Sequence, residues 1–213
     1  LSTPVEIVAL YPATDASTFS GVYSKENKSY GTITYGVNPD QSTADEADDL
    51  LLYHNARFVP KNDLKKEKLD IQFNHAFCRV DIEVTIGSEF NATDGLAENP
   101  IKGIRVEGTK IAADINLASA SPTITAKGDA ASITPTPGIF TPAASATDQA
   151  VARYSCMVIP QTATLKVVLH TSDREFEWTG TKMELESGKQ YTLQLNMTKK
   201  SATARKFILR EKK

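Results

Sequence analysis

The chain has 213 residues, of which 40% are hydrophobic and 23% charged, and its formal net charge is −2. This length and apolar content suffice for one large domain or two smaller ones with buried cores. The longest apolar runs, such as residues 50–53, are too short for a membrane-spanning helix, and the 2 cysteines are too few for a disulfide-built miniprotein. The near-neutral charge argues against a nucleic-acid binder that works by global attraction.

The chain opens at Leu1 with a strand-like segment, and it has no initiator Met, basic n-region or apolar h-region at this end. We therefore expect a processed or truncated product whose localisation signals have been removed. The start of the chain then does not indicate a compartment.

Apolar and polar residues alternate with a period of two along much of the chain, which predicts roughly 12 to 15 short strands. Residues 44–55 are ambiguous, because Thr43 could cap a short helix there, but an acidic loop leading into a strand fits the pattern better. The segment contains four acidic residues, Asp45, Glu46, Asp48 and Asp49. Four carboxylates could hold calcium, but their spacing does not match an EF-hand, so a solvated acidic turn is favoured.

The clearest strand pattern covers residues 69–86. The odd positions are mainly apolar up to Phe77, and the even positions are apolar from Cys78 onward. A strand cannot exchange its two faces without a bulge or a bend. We therefore predict one at this point, where the strand passes between sheets. His75 takes an inward position, where we expect a polar neighbour to satisfy it.

Residues 91–100 are predicted as a long loop. Residues 122–148 mix Ser, Thr, Ala, Pro and Gly with short apolar pieces, and residues 134–138 among them look extended. The composition changes near residue 120. We therefore expect an N-terminal domain in residues 1–120 and a C-terminal domain in residues 121–213.

Strong alternation returns in the second half, for example in residues 191–197. Trp178, the single Trp, alternates with Phe176. This spacing predicts a core position for Trp178, although a Trp in a sandwich loop could instead grip a sugar.

The last 15 residues carry seven Lys or Arg and one Glu, hence +6, which leaves −8 for the remainder. This tail could be a flexible end, a contact to nucleic acid or anionic lipid, or an extended strand that pairs with an open sheet edge of its own domain or of a neighbour. In the third case we expect Phe207 and one of Ile208 or Leu209 to be buried. The candidate donor or edge strand is Ala204, Arg205, Lys206, Phe207, Ile208, Leu209 and Arg210.

No motif for enzymatic chemistry is present: there is no zinc-protease, serine-hydrolase, Walker or dinucleotide signature. His54, His75 and His170 are not paired at metal-ligand spacings. Cys78 and Cys156 take inward positions in different predicted domains, which favours two separate buried thiols over a disulfide. We therefore predict a protein without enzymatic activity, cofactor or metal.

Several segments, in the same order, resemble the fimbrillin-like proteins of Gram-negative anaerobes. Residues 49–55 (DLLLYHN) are similar to their DLLYA stretch, and residues 73–80 (FNHAFCRV) to their F-x-H-A-x-(S/C)-(K/R)-(V/L) element. Residues 158–162 (VIPQT) are similar to a late (L/I)-(I/V)-P-Q element, and residues 185–195 to a closing G-K-x-Y strand. The opening residues 7–12 resemble an A-Y-Y-P strand, so the resemblance extends from about Val5 to Thr198.

The resemblance implies an all-β, pilin-type protein with two tandem antiparallel β-sandwich domains of transthyretin-like or Greek-key type, the N-terminal one truncated here. It implies export as a lipoprotein, display at the outer membrane, and a role as stalk, anchor or tip subunit of a fimbria. In such proteins trimming by a protease opens a groove that takes a strand from the next subunit.

The implied partners are other fimbrial subunits and surface receptors or glycans, with no nucleic acid and no membrane contact beyond a removed N-terminal lipid anchor. The early strands and the lipobox cysteine are absent, and no Arg precedes Arg57, so an Arg-specific trimming site cannot be located. The alternative function is a carbohydrate-binding surface lipoprotein module.

Overall fold

A computed structural model describes residues 3–12, 23–26, 29–43, 48–118 and 121–211. These residues form an all-β structure, as predicted, with one short helix, α1 (Pro60–Asp63), and one 3-10 turn (Ser88–Phe90). The strands are β1 (Val5–Tyr11), β2 (Tyr23–Ser24), β3 (Ser29–Tyr30), β4 (Thr32–Gly36), β5 (Leu51–Phe58), β6 (Asn74–His75), β7 (Cys78–Ile86), β8 (Gly103–Asn116), β9 (Thr123–Ile133), β10 (Thr136–Pro137), β11 (Ala150–Val158), β12 (Gln161–His170), β13 (Glu175–Leu185), β14 (Lys189–Met197) and β15 (Ala202–Glu211).

Two five-stranded sheets form the body of the molecule. Sheet I has the order β10-β11-β7-β14-β15. Sheet II is built on the long strand β8, which pairs with β12 through its first part, with β4 through its last part, and with β9 along its other side; β13 lies outside β12. A smaller sheet III has the order β1-β5-β6, and β2 pairs with β3.

The sheet pairings are antiparallel with one exception. Strands β7 and β14, in the middle of sheet I, run parallel, with Tyr191 opposite Val80 and Met197 opposite Ile86. The predicted antiparallel pairing is found at the other described strand pairs, and this pair is the exception. Parallel neighbours need a long crossover connection, and here the chain forms β8 to β13 between the two strands.

The core is one continuous cluster of apolar side chains drawn from both five-stranded sheets. Strand β7 alternates strictly between buried and half-buried residues, so one of its faces packs into this core while the other faces outward. Its inward side chains from Cys78 to Ile86 are at most 1% exposed. This arrangement, two sheets enclosing a shared core, is a β-sandwich.

The predicted change of face at Phe77-Cys78 is confirmed. β6 ends at His75 in sheet III and β7 begins at Cys78 in sheet I, with the fully buried Phe77 at a bend between them. The apolar alternation before the bend does not correspond to a long buried strand, however. Leu69 and Phe73 are each 40% exposed, and only Asn74–His75 pairs as a strand.

Strand β9 is the main element that the pattern missed. It lies in the segment of mixed composition, residues 122–148, and it pairs with β8 over most of its length. The predicted extended stretch around Thr136 is confirmed as β10. The strand alternative for residues 44–55 is confirmed from Leu51 onward, where β5 begins, whereas residues 44–47 lie outside the described residues.

Strands from both sides of residue 120 contribute to each five-stranded sheet: β7 lies in sheet I with β11 and β14, and β8 lies in sheet II with β9 and β12. The buried cluster is likewise shared. The division into residues 1–120 and 121–213 stays a prediction about independent folding.

Two glutamine side chains close gaps in the ladders. The buried amide of Gln41 accepts a hydrogen bond from the Met157 N–H (2.7 Å) and donates to the Met157 carbonyl (3.0 Å). The amide of Gln161 in the same way accepts from the Lys110 N–H (2.9 Å) and donates to the Lys110 carbonyl (3.0 Å). Each amide therefore replaces one residue of a paired strand.

Candidate functional site at the sheet edges

The seven candidate residues 204–210 all lie in β15, which pairs antiparallel with β14 from Ala202 to Glu211. The tail is therefore a strand of its own sheet up to residue 211. The register shifts between Gln194 and Leu195, whose partners are Lys206 and Ala204. One residue of β15, between Ala204 and Lys206, therefore has no partner on β14. Such an extra residue forms a β-bulge, a feature that is frequent on edge strands.

Strand β15 is the outermost strand of sheet I. Ile208 is half-buried, and Leu209 is 51% exposed although it stands opposite Tyr191, which is 2% exposed. Leu209 thus lies on the core-facing side of the sheet but beyond the cover that sheet II provides. The predicted burial of Phe207 concerns a side chain outside the described ones.

Strand β13, the outermost strand of sheet II, lies beside β15 on the same flank of the sandwich. Trp178 of β13 stands opposite Val167, packs against the margin of the core and is half-buried. It borders a small cavity of about 150 Å³ together with Gly180 and Met183. Trp178 therefore lies at the margin of the core and not inside it.

The two neighbouring edge strands carry opposite charge. The exposed ionisable side chains of β13 are Glu175, Glu177, Lys182 and Glu184. Those described on β15 are Lys206 and Arg210. The flank is thus acidic along one edge and basic along the other.

Histidine 54 has a structural role. Its Nε2 lies 2.8 Å from a carboxylate oxygen of Glu6, with side chains 1% and 9% exposed. The other oxygen of Glu6 accepts a hydrogen bond from the Tyr30 N–H (3.0 Å). This buried pair links β1 to β5 and to β3.

The other two histidines also pair with carboxylates. His75 Nδ1 lies 2.9 Å from Asp49, which confirms that a neighbour satisfies it, and His170 Nδ1 lies 2.9 Å from Glu175 on the outer face of sheet II. Among the described residues, no three His, Cys, Asp or Glu side chains are arranged to hold a metal ion.

Cys78 and Cys156 are both 0% exposed and form no disulfide, as predicted. They were expected to be apart because they fall in different predicted domains. In the structure, however, they lie on adjacent strands of sheet I, Cys78 opposite Val158 and Cys156 opposite Val80. The Cys78 thiol donates to the Val158 carbonyl (3.1 Å). Both thiols are therefore sealed inside the core.

Neither glutamine was singled out by sequence reasoning for a role of its own. Gln161 is the Gln of the P-Q element in residues 158–162, and its contacts with Lys110 give that element a structural function. Gln41 carries no comparable signal, since a Gln in a polar segment is ordinarily a surface residue.

The model of the fimbrillin-like family matches residues 3–207, and the chain therefore belongs to the fimbrillin-like family. Among solved structures, a candidate cell adhesion protein from Bacteroides uniformis is 15% identical with a TM-score of 0.66, over 99% of this chain and 73% of that one. A candidate cell adhesion protein from Bacteroides ovatus is 14% identical with a TM-score of 0.65, over 98% of this chain and 68% of that one.

At these identities the two structures show a shared fold. No curated protein matches the chain. Within the part of the chain that the structure describes, there is no helix with the length and apolar character needed to cross a membrane.

Proposed function

We propose that the chain is a structural, tip, anchor or accessory subunit of a cell-surface fimbria, which assembles by β-strand addition and acts in adhesion. Membership of the fimbrillin-like family supports the fimbrial role. In this proposal the subunit is displayed at the outer membrane after export as a lipoprotein, and it works through its surfaces and edges rather than through enzymatic chemistry.

The observation that carries the assembly mechanism is the position of β15 at the edge of sheet I. This strand has ten residues, and among the described strands β14 alone pairs with it. An edge of this length presents a row of backbone groups that another strand can pair with. Each added backbone hydrogen bond contributes about 0.5–1.5 kcal/mol net, so even a short added strand would be held firmly.

The half-exposed Leu209 gives the edge an apolar component. Its side chain extends the core surface past Tyr191 toward the flank. A strand added outside β15 would cover it, and full burial of a leucine side chain contributes roughly 1.5–3 kcal/mol.

In this proposal, the opposite charges of β13 and β15 determine which edges of two subunits pair. The glutamates of β13, of which Glu175 also pairs with Arg105 and Glu177 with Lys166, would attract the basic β15 of a second copy, whereas two β15 edges would repel each other. Strand addition between unlike edges therefore fits the surface better than addition between like edges.

The test is assembly of the purified chain followed by light scattering and negative-stain electron microscopy over a range of concentrations. We expect linear oligomers that lengthen with concentration. Leu209→Lys should reduce assembly, because a neighbouring strand would then bury an ammonium group. Leu64→Lys is the matched control, since Leu64 is 37% exposed and lies in the loop after α1.

A chain that stays monomeric at every concentration would contradict the proposal, as would equal assembly of Leu209→Lys and the unmodified chain. A chain ending at Lys200 lacks β15 altogether. If it kept both its thermal stability and its assembly, neither the structural nor the assembly role of β15 would stand.

A further inference from the structure

We propose that the outer face of sheet I holds a binding groove for an acidic oligosaccharide. A cavity of about 390 Å³ crosses this face from β10 to β15. Nothing in the proposal requires strand addition at β15, and a change at Arg153, which lies on β11, tests the groove apart from the assembly edge. Its polar lining is Arg79, Asp81, Glu83, Arg153, Ser155, Gln190, Thr192 and Arg210.

The strand register arranges these side chains in rows across the sheet. Ser155 and Thr192 both stand opposite Asp81 on the central strand. In the next row, Gln190 stands between Arg79 and Arg210. Adjacent strands are roughly 4.8 Å apart, so a row across four strands is long enough for a short oligosaccharide.

Carboxylates hold the two inner arginines in place. Asp81 accepts a hydrogen bond from Arg79 Nε (2.8 Å) and a second from the Gln190 amide. Glu83 lies 3.3 Å from Arg153 Nε and accepts from the Gln194 amide (3.1 Å). The side chains of Arg79 and Asp81 are only 27% and 25% exposed. A polar surface fixed in this way loses little conformational freedom when a ligand binds.

Arg210 stands at the β15 end of the groove and makes no ion pair with another described residue. The lining therefore contains three guanidinium groups against two carboxylates, a local excess of positive charge on a chain whose net charge is −2. Guanidinium groups bind carboxylates and sulfates through paired hydrogen bonds. This balance selects an anionic ligand.

The other lining groups select a saccharide among anionic ligands. The carboxylates of Asp81 and Glu83 can accept hydrogen bonds from sugar hydroxyls, but they would repel a dense polyanion. Ile139 is 79% exposed at the opposite end of the groove, where the Gly138 N–H donates to the Arg153 carbonyl (2.7 Å). Its aliphatic side chain offers a surface for the apolar face of a sugar ring. Single-stranded nucleic acid would require a series of stacking aromatics, whereas one aromatic residue lines the groove, Tyr154, which is only 7% exposed.

The experiment is calorimetric titration of the purified chain with four probes: trigalacturonate, a heparin-derived tetrasaccharide, neutral maltotriose and inorganic polyphosphate. We expect one of the two acidic saccharides to bind more tightly than maltotriose and polyphosphate. Arg153→Gln should weaken that binding roughly tenfold, the loss expected for one charge-assisted hydrogen bond. Arg57→Gln, an exposed arginine of β5 in sheet III, is the charge-matched control and should leave binding unchanged.

Arg210→Gln provides a second variant, at the β15 end of the groove, in case Arg153→Gln disturbs folding. Binding equal to that of the unmodified chain in both groove variants would overturn the proposal. It would also be overturned if neither acidic saccharide bound, if maltotriose bound as tightly as the acidic saccharides, or if polyphosphate bound best, since that would indicate attraction to charge alone.

Discussion

The side chain of Gln41 makes the pair of hydrogen bonds that a neighbouring strand would otherwise make with its backbone. Its amide oxygen accepts from the N–H of Met157 and its amide nitrogen donates to the carbonyl of Met157, a residue that is 1% exposed. The same amide also donates to the Asn38 carbonyl (3.0 Å). A buried backbone group without a partner is costly, so this single residue secures the segment after β4 against the end of β11.

We predict that Gln41→Met lowers the free energy of unfolding by about 2–4 kcal/mol. Methionine has a similar volume but cannot pair with the two backbone groups of Met157, and each lost partner costs about 1–3 kcal/mol. Urea unfolding followed by fluorescence measures the change.

The matched control is Gln194→Met, which removes one hydrogen bond to Glu83 on the half-buried outer face of sheet I. We expect a loss of less than about 1 kcal/mol there. Equal losses in the two variants would contradict the role assigned to Gln41.

Three tyrosines link stability to alkaline pH. Burial raises the pKa of Tyr154 above its ordinary value of 10.0, against a smaller opposite effect of the hydrogen bond from Asn99. Burial is also the main reason that the pKa of Tyr35 and the pKa of Tyr191 are raised. Because the folded state holds these protons more tightly than the unfolded state, the stability linked to them is complete below pH 10 and falls as the pH rises above it.

Tyr154→Phe is expected to show a shallower loss of stability between pH 9 and pH 11 than the unmodified chain. The slope against pH is the decisive quantity, since removal of the hydroxyl also removes the Asn99 contact at every pH. Urea midpoints across this range give the slope, and identical slopes in the two proteins would refute the prediction.

At the scale of the element, the shifts of strand register in sheet II depend on one particular residue. The register of β8 shifts against β9 between Val106 and Thr109, and that of β12 shifts against β13 between Thr164 and Lys166. Gly108 lies between these places with a φ of +93°, and a Cβ there would stand 2.1 Å from the Thr164 carbonyl oxygen. The close approach of the two strands requires glycine.

Gly108→Ala and Gly128→Ala form a matched pair. Gly128 in β9 also has a positive φ, +77°, but no atom lies within 4 Å of a Cβ placed there. We expect Gly128→Ala to cost about 1–2 kcal/mol from backbone strain alone. Gly108→Ala should cost clearly more, because the backbone of β12 must also move. Thermal and urea unfolding of both variants measure the difference, and a smaller loss at Gly108 would contradict this account of the bulge.

The elements differ in how far the sequence predicts them. Strand β7 has neighbours on both sides and one fully buried face, so its alternation is strict and easily recognised. Strand β9 lies on an edge, and its Thr- and Ala-rich sequence leaves both faces partly exposed, so its pattern is weak. Residues 69–73 show the opposite case, since their apolar alternation is not used for strand pairing.

The candidate sites differ in the same way. β15 follows β14 directly and forms a hairpin with it, so a local apolar stretch around Ile208 was enough to predict the strand. The groove on sheet I depends on β7 lying between β11 and β14. That arrangement is set by packing between distant segments, and no local pattern in the sequence contains it.

At the scale of the whole molecule, the shared sheets determine what a cut at residue 120 does. Unlike the division expected from composition, the shared sheets lead us to expect that residues 1–120 and residues 121–213, expressed separately, do not fold alone. Each part would lack central strands of both sheets and about half of the core. Mixed together, they should associate and regain the β-sheet circular dichroism spectrum of the intact chain. Cooperative unfolding of residues 121–213 alone would instead support a domain boundary at this point.

Assembly through unlike edges also predicts a dependence on salt. The attraction between acidic β13 and basic β15 acts across solvent-exposed surfaces, where ions screen it over about 10 Å at 0.1 M salt. We expect the scattering-average mass at fixed concentration to fall as sodium chloride rises from about 0.05 to 0.5 M. Salt-independent assembly would favour an apolar contact in place of the charged one.

The parallel neighbours β7 and β14 have a consequence for biosynthesis. A ribosome completes residues 78–86 early, but the strand that lies beside them is not translated until residues 189–197. Until then the middle of sheet I is unfinished, and contacts between such distant segments form late because they must close a long loop. A nascent polypeptide of this kind therefore cannot complete sheet I before residues 189–197 have been synthesised.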